Sequence, residues 1–253
     1  MLTFTEAQLM AWLSPVLWPF LRALALFMTV PVFSSRSVPM RVKIGLAFLI
    51  TLAAQVSLPV SPVISLDSPV ALAVLLQQVL IGATIGFAVR IVFAAIEFAG
   101  ELIGLQMGLG FAAFFDPASG GQTNAVSRFF GTTTSLLFII MNGHLVLIAA
   151  VIKSFEAFPI SPEPMAFLHA TQPHVWGSEI FKLGLWIALP IIAMLLFTNL
   201  VLGVISRVAQ QMNIFAIGFP ITLGVGLVGT LLTLPMLEQP FTMALERMLS
   251  NFQ

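Results

Sequence analysis

Long apolar runs alternate with short charged stretches along this chain. Runs free of Asp, Glu, Lys and Arg cover residues 44–66, 68–89, 129–152, 183–206 and 208–237, and a sixth apolar run, Leu9–Val32, is broken by Arg22 and by prolines. A helix of about 20 apolar residues crosses the hydrocarbon core of a bilayer. The pattern therefore predicts an all-α, polytopic membrane protein built from helical hairpins, with about six hydrophobic helices.

The composition strengthens this prediction. Of the 253 residues, 59% are hydrophobic and 8% are charged, with a mean hydropathy of +1.06. A soluble chain of this size could not bury so much apolar surface and still cover itself with polar groups. The 10 basic residues balance the 10 acidic ones, so we expect no nucleic-acid partner, and the absence of cysteine excludes disulfides and thiol chemistry. No polar stretch is long enough to fold alone, which predicts one integral membrane subunit over residues 1–253.

The few charges suggest a topology. The stretch Ser34–Lys43 carries three basic residues and Arg207 follows the charge-free run 183–206, so both are expected on the cytoplasmic side, with the N-terminus outside. No basic residue precedes Arg22, which favours a retained first span over a signal peptide. The proline-rich stretch Lys153–Lys182 is predicted to be an extended loop.

The third helix is predicted to be too long for a simple span. Helix-forming residues continue from about 69 to 107, about 58 Å as a helix. Arg90, Glu97 and Glu101 share one helical face, beside the glycine repeat Gly100, Gly104 and Gly108. Two interpretations stay open: close helix packing with an interfacial end, or a charged stripe buried against other subunits, where Glu101 needs a partner.

A Phe-rich segment follows this helix, too short to span the membrane. Its bulky apolar residues come just before chain-breaking Asp-Pro and Gly-Gly pairs; the segment's candidate residues are Met107, Phe111, Phe114, Phe115, Asp116 and Pro117. Such a loop at membrane depth is either re-entrant or interfacial, anchored by Phe, or else blocks a pore by excluding water. The region 108–124 is therefore predicted to be a re-entrant or plug loop.

Catalytic signals are weak. The sequence has neither a G-x-x-x-x-G-K phosphate loop nor H-E-x-x-H, and His169 and His174 lack metal-ligand neighbours, so we expect no enzyme, cofactor or metal site. His144 is either a proton relay or a packing histidine. Arg22 is either a snorkelling residue or a subunit contact. A secondary transporter or an ion-channel subunit remains the alternative class, since such proteins also contain broken helices and buried ionisable groups.

Several short motifs, in order along nearly the whole chain, resemble one family. They are Val30–Phe33 with Val38–Lys43, Gly104–Gly108 leading to Phe115-Asp116-Pro117, Asn142–Leu145, Arg207–Phe215, and Gly218-Phe219-Pro220. Together they resemble the FliR family of flagellar export-apparatus proteins, whose injectisome counterparts form the SctT family. One departure is Gln210, where many members of the family have proline.

The resemblance implies a function that the composition does not show. Members of the family look like a fusion of FliP and FliQ, which places a FliP-like part at about 1–180 and a FliQ-like hairpin at about 181–253. With FliP and FliQ subunits they surround the conduit for unfolded flagellar proteins, and the loop matching Gly108–Asn124 acts as its plug. The cytoplasmic tip, at Arg207, Gln210, Gln211 and Asn213, is expected to meet FlhB, with FlhA as a further partner. The expected location is the inner membrane at the flagellar basal body, with part raised toward the periplasm.

Overall fold

The computed structural model describes residues 6–58, 62–65, 67–111, 123–209 and 214–252. Every regular element in these ranges is helical, which confirms the all-α prediction. The α-helices are α1 (Glu6–Thr29), α2 (Pro31–Ser34), α3 (Met40–Ala54), α4 (Pro69–Gln106), α5 (Ala125–Ile140), α6 (Gly143–Ala157), α7 (Pro164–Thr171), α8 (Gly177–Val208), α9 (Ile214–Thr233) and α10 (Glu238–Leu249). Short 3-10 turns cover Leu109–Phe111, Pro173–Trp176, Leu234–Leu237 and Ser250–Phe252.

Within the described ranges, four helical stretches are long and apolar enough to cross a membrane: Met10–Thr29, Pro69–Gln106, Pro164–Val208 and Ala216–Phe252. The pair α5 and α6, bent by 69°, makes a fifth if it counts as one span. This agrees roughly with the expected six helices. The run 44–66 differs, because α3 ends at Ala54 after 15 residues, or about 22 Å. The charge-free run extends beyond the end of α3 because the polar and proline residues after Ala54 carry no charge.

The overlong third helix is confirmed as α4, which runs without a break for 38 residues, about 57 Å. It is also the best covered of the spanning candidates. In the most apolar 18-residue stretch of α4, 67% of the residues are buried. In the corresponding stretch of Pro164–Val208, 17% are buried. Most of the apolar side chains of α4 are therefore buried within the chain, whereas most of those of α8 are exposed.

The proline-rich stretch is not the extended loop that the sequence predicts. It contains α7, a 3-10 turn from Pro173, and the first residues of α8, which begins at Gly177. Pro164 is the first residue of α7. A proline at that position loses no helical hydrogen bond and has its φ already set, so prolines here start helices instead of preventing them.

The chain forms two compact units, of which the first comprises Met1–Ile91, Phe138–Trp176 and Leu245–Gln253. In this unit α1 packs on α3 through Ala23, Phe27 and Ala47. The Phe27 and Phe33 rings meet edge to face, with centroids 5.0 Å apart. This contact ties the short helix α2 to α1.

Arg22 lies at the centre of a polar network in this first unit, although it has no exposed surface. Its Nε donates to Gln78 Oε1 at 2.8 Å, its Nη1 donates to Ser154 O at 2.8 Å and Oγ at 2.9 Å, and its Nη2 donates to Phe158 O at 3.0 Å. The guanidinium carbon also lies 3.6 Å from the Phe155 ring centroid. Arg22 therefore does not snorkel to the interface: it binds the C-terminal end of α6, where a helix favours a cation.

The second unit comprises Val92–Leu137 and Gly177–Ala244. Here α8 and α9 pack together as a hairpin. The C-terminal half of α4 contacts α8 through the Phe98 and Phe181 rings, 5.3 Å apart. The division of the chain at about residue 180 into FliP-like and FliQ-like parts stays a prediction.

Candidate functional site

The predicted charged stripe lies along the C-terminal half of α4, where its members differ in exposure. Arg90 and Glu97 are exposed, and Glu101 is partly buried. Gly100 and Gly104, one helical turn apart, are both buried. The charged edge of this helix, at Arg90 and Glu97, is therefore exposed, whereas its glycine edge, at Gly100 and Gly104, is buried.

The glycine edge packs against the start of α5. A Cβ atom on Gly100 would lie 2.7 Å from Ser127 Cα, and one on Gly104 would overlap the amide of Asn124. The Ser127 hydroxyl donates to Glu97 O at 2.8 Å, across the same contact. A side chain at Gly100 would press on the backbone of α5 and push the two helices apart, whereas one at Gly104 would displace the Asn124 side chain.

Asn124 joins the two helices and also begins α5. Its Oδ1 accepts the backbone N–H of Ser127 at 2.8 Å, which is the N-cap bond of α5. Its Nδ2 donates to Glu101 O at 3.1 Å, and its backbone N–H donates to Glu101 Oε2 at 3.3 Å. Glu101 thus has a partner within its own chain, and the border of the Phe-rich segment is fixed on its C-terminal side.

The other border of the segment is fixed by Gly108. Gly108 has φ = 84°, a left-handed conformation that ends α4, and its N–H donates to Leu105 O at 3.0 Å. The preceding residue, Met107, is fully buried and contacts Gly226 of α9. The chain leaves α4 in a direction set by glycine geometry and anchored by a buried methionine.

An open apolar groove of about 430 Å³ lies between these two borders and α9. It is lined by Met107, Leu109, Ala125, Val126, Phe129, Leu223, Leu227, Thr230, Leu231 and Leu234. Among the described residues, no group of three His, Cys, Asp or Glu side chains is placed to hold a metal ion. The surroundings suit the packing of apolar groups rather than acid–base chemistry.

Some predicted site residues lie outside the described residues: Phe114, Phe115, Asp116, Pro117, Gln210, Gln211 and Asn213. The backbone of Phe111 closes the 3-10 turn after Gly108. Arg207 lies exposed in the last turn of α8. Asn124 and Ser127 were missed by the sequence analysis, although an Asn just before an apolar helical run is a recognisable N-cap signal.

His144, the candidate proton relay, follows the bend between α5 and α6. Asn142 adopts a left-handed conformation there, with φ = 56°, and Gly143 packs against Phe138. The His144 Nδ1 atom is buried and has no hydrogen-bond partner in the described part of the chain. The proton-relay role of His144 stays a prediction.

These features define a class: a helical membrane protein in which one long helix and its neighbours hold a short Phe-rich segment by both ends. The family model described as bacterial export proteins, family 1, matches residues 13–248, and the chain belongs to this family. This confirms the resemblance seen in the sequence.

Individual relatives agree with the family. The chain is 47% identical over 246 residues to the flagellar biosynthetic protein FliR of Pectobacterium carotovorum subsp. carotovorum, covering 95% of this chain and 92% of the relative. It is 48% identical over 230 residues to FliR of Escherichia coli K12, covering 90% and 87%. FliR of Aquifex aeolicus is 32% identical over 222 residues, covering 88% and 86%. The chain is thus a flagellar export-apparatus protein, and its family and apolar helices together indicate the inner membrane.

Proposed function

We propose that the chain is a non-enzymatic subunit of the flagellar type III export gate. With FliP and FliQ it forms the conduit for unfolded flagellar proteins, and its segment between Gly108 and Asn124 is the apolar plug. The observation that carries the plug is the fixing of both borders. Gly104 lies against Asn124, so the end of α4 and the start of α5 lie side by side.

A plug needs a firm base and an apolar body. The base is the packed junction of α4 and α5, where Asn124 bonds to Glu101 through two separate groups. The body is supplied by Phe111, Phe114 and Phe115, which bear no charge. A narrow apolar constriction excludes water and ions, while an extended polypeptide can displace flexible side chains.

The rest of the surface supports assembly with unlike subunits. Because α5 covers Gly100 and Gly104 within the chain, the exposed side chains of Arg90 and Glu97 form the part of the stripe that we propose for subunit contacts. FlhB, and with it FlhA, is proposed to meet the tip after Arg207, at the end of the largely exposed helix α8.

The plug is tested by the triple variant Phe111→Ala, Phe114→Ala, Phe115→Ala. Its matched control is Phe87→Ala, Phe197→Ala, Phe219→Ala, which removes three exposed rings elsewhere. We expect ion leakage, measured in proteoliposomes holding the purified complex, to rise in the first variant and not in the control. Unchanged leakage in an intact triple-variant complex would refute the plug.

The same purification tests the subunit role. We expect the chain to come out in a large complex with FliP and FliQ. A chain that purifies alone or as a small homo-oligomer, and transports a small solute, would instead support the transporter or channel alternative.

A further inference from the structure

One face of α3 is apolar and exposed along its whole length. Arg41 begins this stripe and is followed at helical spacing by exposed Ile44, Gly45, Phe48, Leu49 and Leu52. A Cβ atom on Gly45 would meet nothing within 4 Å, so the stripe has a shallow open notch near its charged end. Within the described residues, this face lacks a covering element.

The opposite face of α3 is the one that packs against α1. Its buried residues are Lys43, Ala47, Thr51 and Ala54, which are small or polar apart from the lysine stem. A helix on a water-soluble protein has the reverse arrangement, with large apolar residues inside. The outward stripe of α3 is therefore built for an apolar medium.

The N-terminal end of α3 is strongly basic. Arg36 and Arg41 are exposed, while Lys43 is nearly buried. The sequence has no acidic residue between Glu6 and Asp67. In the part of the chain that the structure describes, none of these three cations has a carboxylate within 4 Å. The positive charge at this end is available to an anion.

The length of the stripe matches one leaflet of a bilayer. From Arg41 to Leu52 the helix rises about 17 Å, and half of the hydrocarbon core is about 15 Å. The helix ends two residues later, at Ala54. Basic residues at one end of an apolar stripe of this length fit an anionic lipid, which combines a negative headgroup with an acyl chain.

We propose that α3 is a binding site for anionic phospholipid. The headgroup phosphate binds Arg36 and Arg41, and an acyl chain lies along the stripe through the notch at Gly45. The contact between Phe27 and Phe33 holds the basic end in place on α1. The proposal rests on the membrane location of the family and not on the plug, so either proposal can fail alone.

The charge part is tested with spin-labelled phosphatidylglycerol and phosphatidylcholine. The purified complex is placed in nanodiscs that contain phosphatidylglycerol and phosphatidylcholine at about one to three. The immobilised fraction of each spin-labelled lipid is then measured. Each cation near a membrane surface changes the binding of an anionic lipid about fivefold. We expect the preference for phosphatidylglycerol to fall about 30-fold in Arg36→Gln, Arg41→Gln. Arg41→Lys keeps the charge and should retain the preference. The single variant Arg41→Gln is also measured. Its control is Lys182→Gln, which neutralises one cation at an exposed site on α8. An unchanged preference in the double variant would overturn the proposal.

The variant Gly45→Leu separates lipid from a protein partner. A Cβ atom at this position meets nothing within 4 Å in the chain, and fluid acyl chains can move around the added side chain. We therefore expect full recovery of the partner subunits with Gly45→Leu, together with a changed immobilised lipid fraction. A loss of partner subunits would show that another protein covers the stripe, and the lipid proposal would be wrong.

Discussion

The variant Gln78→Met is the most informative test of the network around Arg22. Gln78 Oε1 accepts from Arg22 Nε at 2.8 Å, in a place where the arginine has no exposed surface. Methionine has nearly the same length and is apolar, but it offers no comparable acceptor. The substitution therefore leaves a buried cationic N–H without its partner and changes the packing little.

The expected loss of stability follows from two hydrogen bonds. A bond to a charged group contributes about 1.5–3 kcal/mol, and a neutral bond contributes about 0.5–1.5 kcal/mol. The neutral bond is Gln78 Nε2 donating to Gln77 Oε1 at 2.8 Å. Since Gln77 Oε1 also accepts the Ser161 N–H at 3.0 Å, it is not left unsatisfied. The free energy of unfolding should fall by roughly 2–4 kcal/mol.

The contribution of the charged hydrogen bond between Arg22 and Gln78 can be isolated by repeating the Gln78→Met substitution in an Arg22→Met background. Without the guanidinium, Gln78→Met removes only the neutral bond, so its effect should shrink to about 1 kcal/mol. The two substitutions should then show a coupling energy of about 2 kcal/mol, as expected for groups in direct contact. Arg22→Met alone also leaves Phe158 O without its donor at the end of α6.

The measurement is unfolding in SDS of the purified complex, followed for each of the four members of the cycle. Gln55→Met, the same exchange at the exposed position just after α3, is the control and should change stability by less than about 0.5 kcal/mol. If the two effects simply add within about 0.5 kcal/mol, the guanidinium does not depend on Gln78 and the reasoning is refuted.

Two further predictions concern the helix contacts. Glu101→Ala should reduce co-purification of the gate subunits more than it reduces membrane insertion. Glu101→Gln keeps an acceptor for the Asn124 N–H, so it should reduce co-purification less. Equal yields of complex for the unaltered protein and both variants would contradict this prediction. Gly143→Ala should lower stability by about 1–3 kcal/mol, because its Cβ would lie 2.5 Å from Phe138 Cδ2. Gly45→Ala, with open space around it, should not lower stability, and a similar loss at both glycines in SDS unfolding would contradict the contact.

The sequence predicted the helices that depend on local composition. The length of α4 follows from an unbroken apolar, helix-forming run, and such runs need no knowledge of their neighbours. The Arg22 network could not be predicted in this way. Its partners lie 56 residues away at Gln78, and 132 and 136 residues away at Ser154 and Phe158. Only the folded chain brings these groups together.

The errors in the sequence analysis have a common physical cause. Charge marks the predicted ends of the spans, but a helix can also end or start among neutral residues. Gln55 follows the end of α3 inside a charge-free run, and Pro164 begins α7 inside a stretch taken as a loop. The fixed φ of proline explains the start of α7 at Pro164.

Asn124 offers a test of whether the borders of the plug matter apart from its Phe side chains. Asn124→Ala removes the N-cap bond to Ser127, with a loss of about 0.5–2 kcal/mol, and also the bond from Nδ2 to Glu101 O. Asn124→Ser keeps a capping oxygen but is too short to provide that second bond. Both variants retain every Phe of the segment.

We expect Asn124→Ala to raise ion leakage in proteoliposomes, because the start of α5 is then held less firmly against α4. The serine variant separates two causes. Leakage near that of the unaltered protein would mean that the helix cap is sufficient, and leakage near that of the alanine variant would mean that the tether to Glu101 holds the plug. Thr132→Ala, at an exposed position of α5 outside the segment, is the control and should leave leakage unchanged. If both Asn124 variants stay as impermeable as the unaltered protein, the plug does not depend on this border, and its base must lie on the Gly108 side.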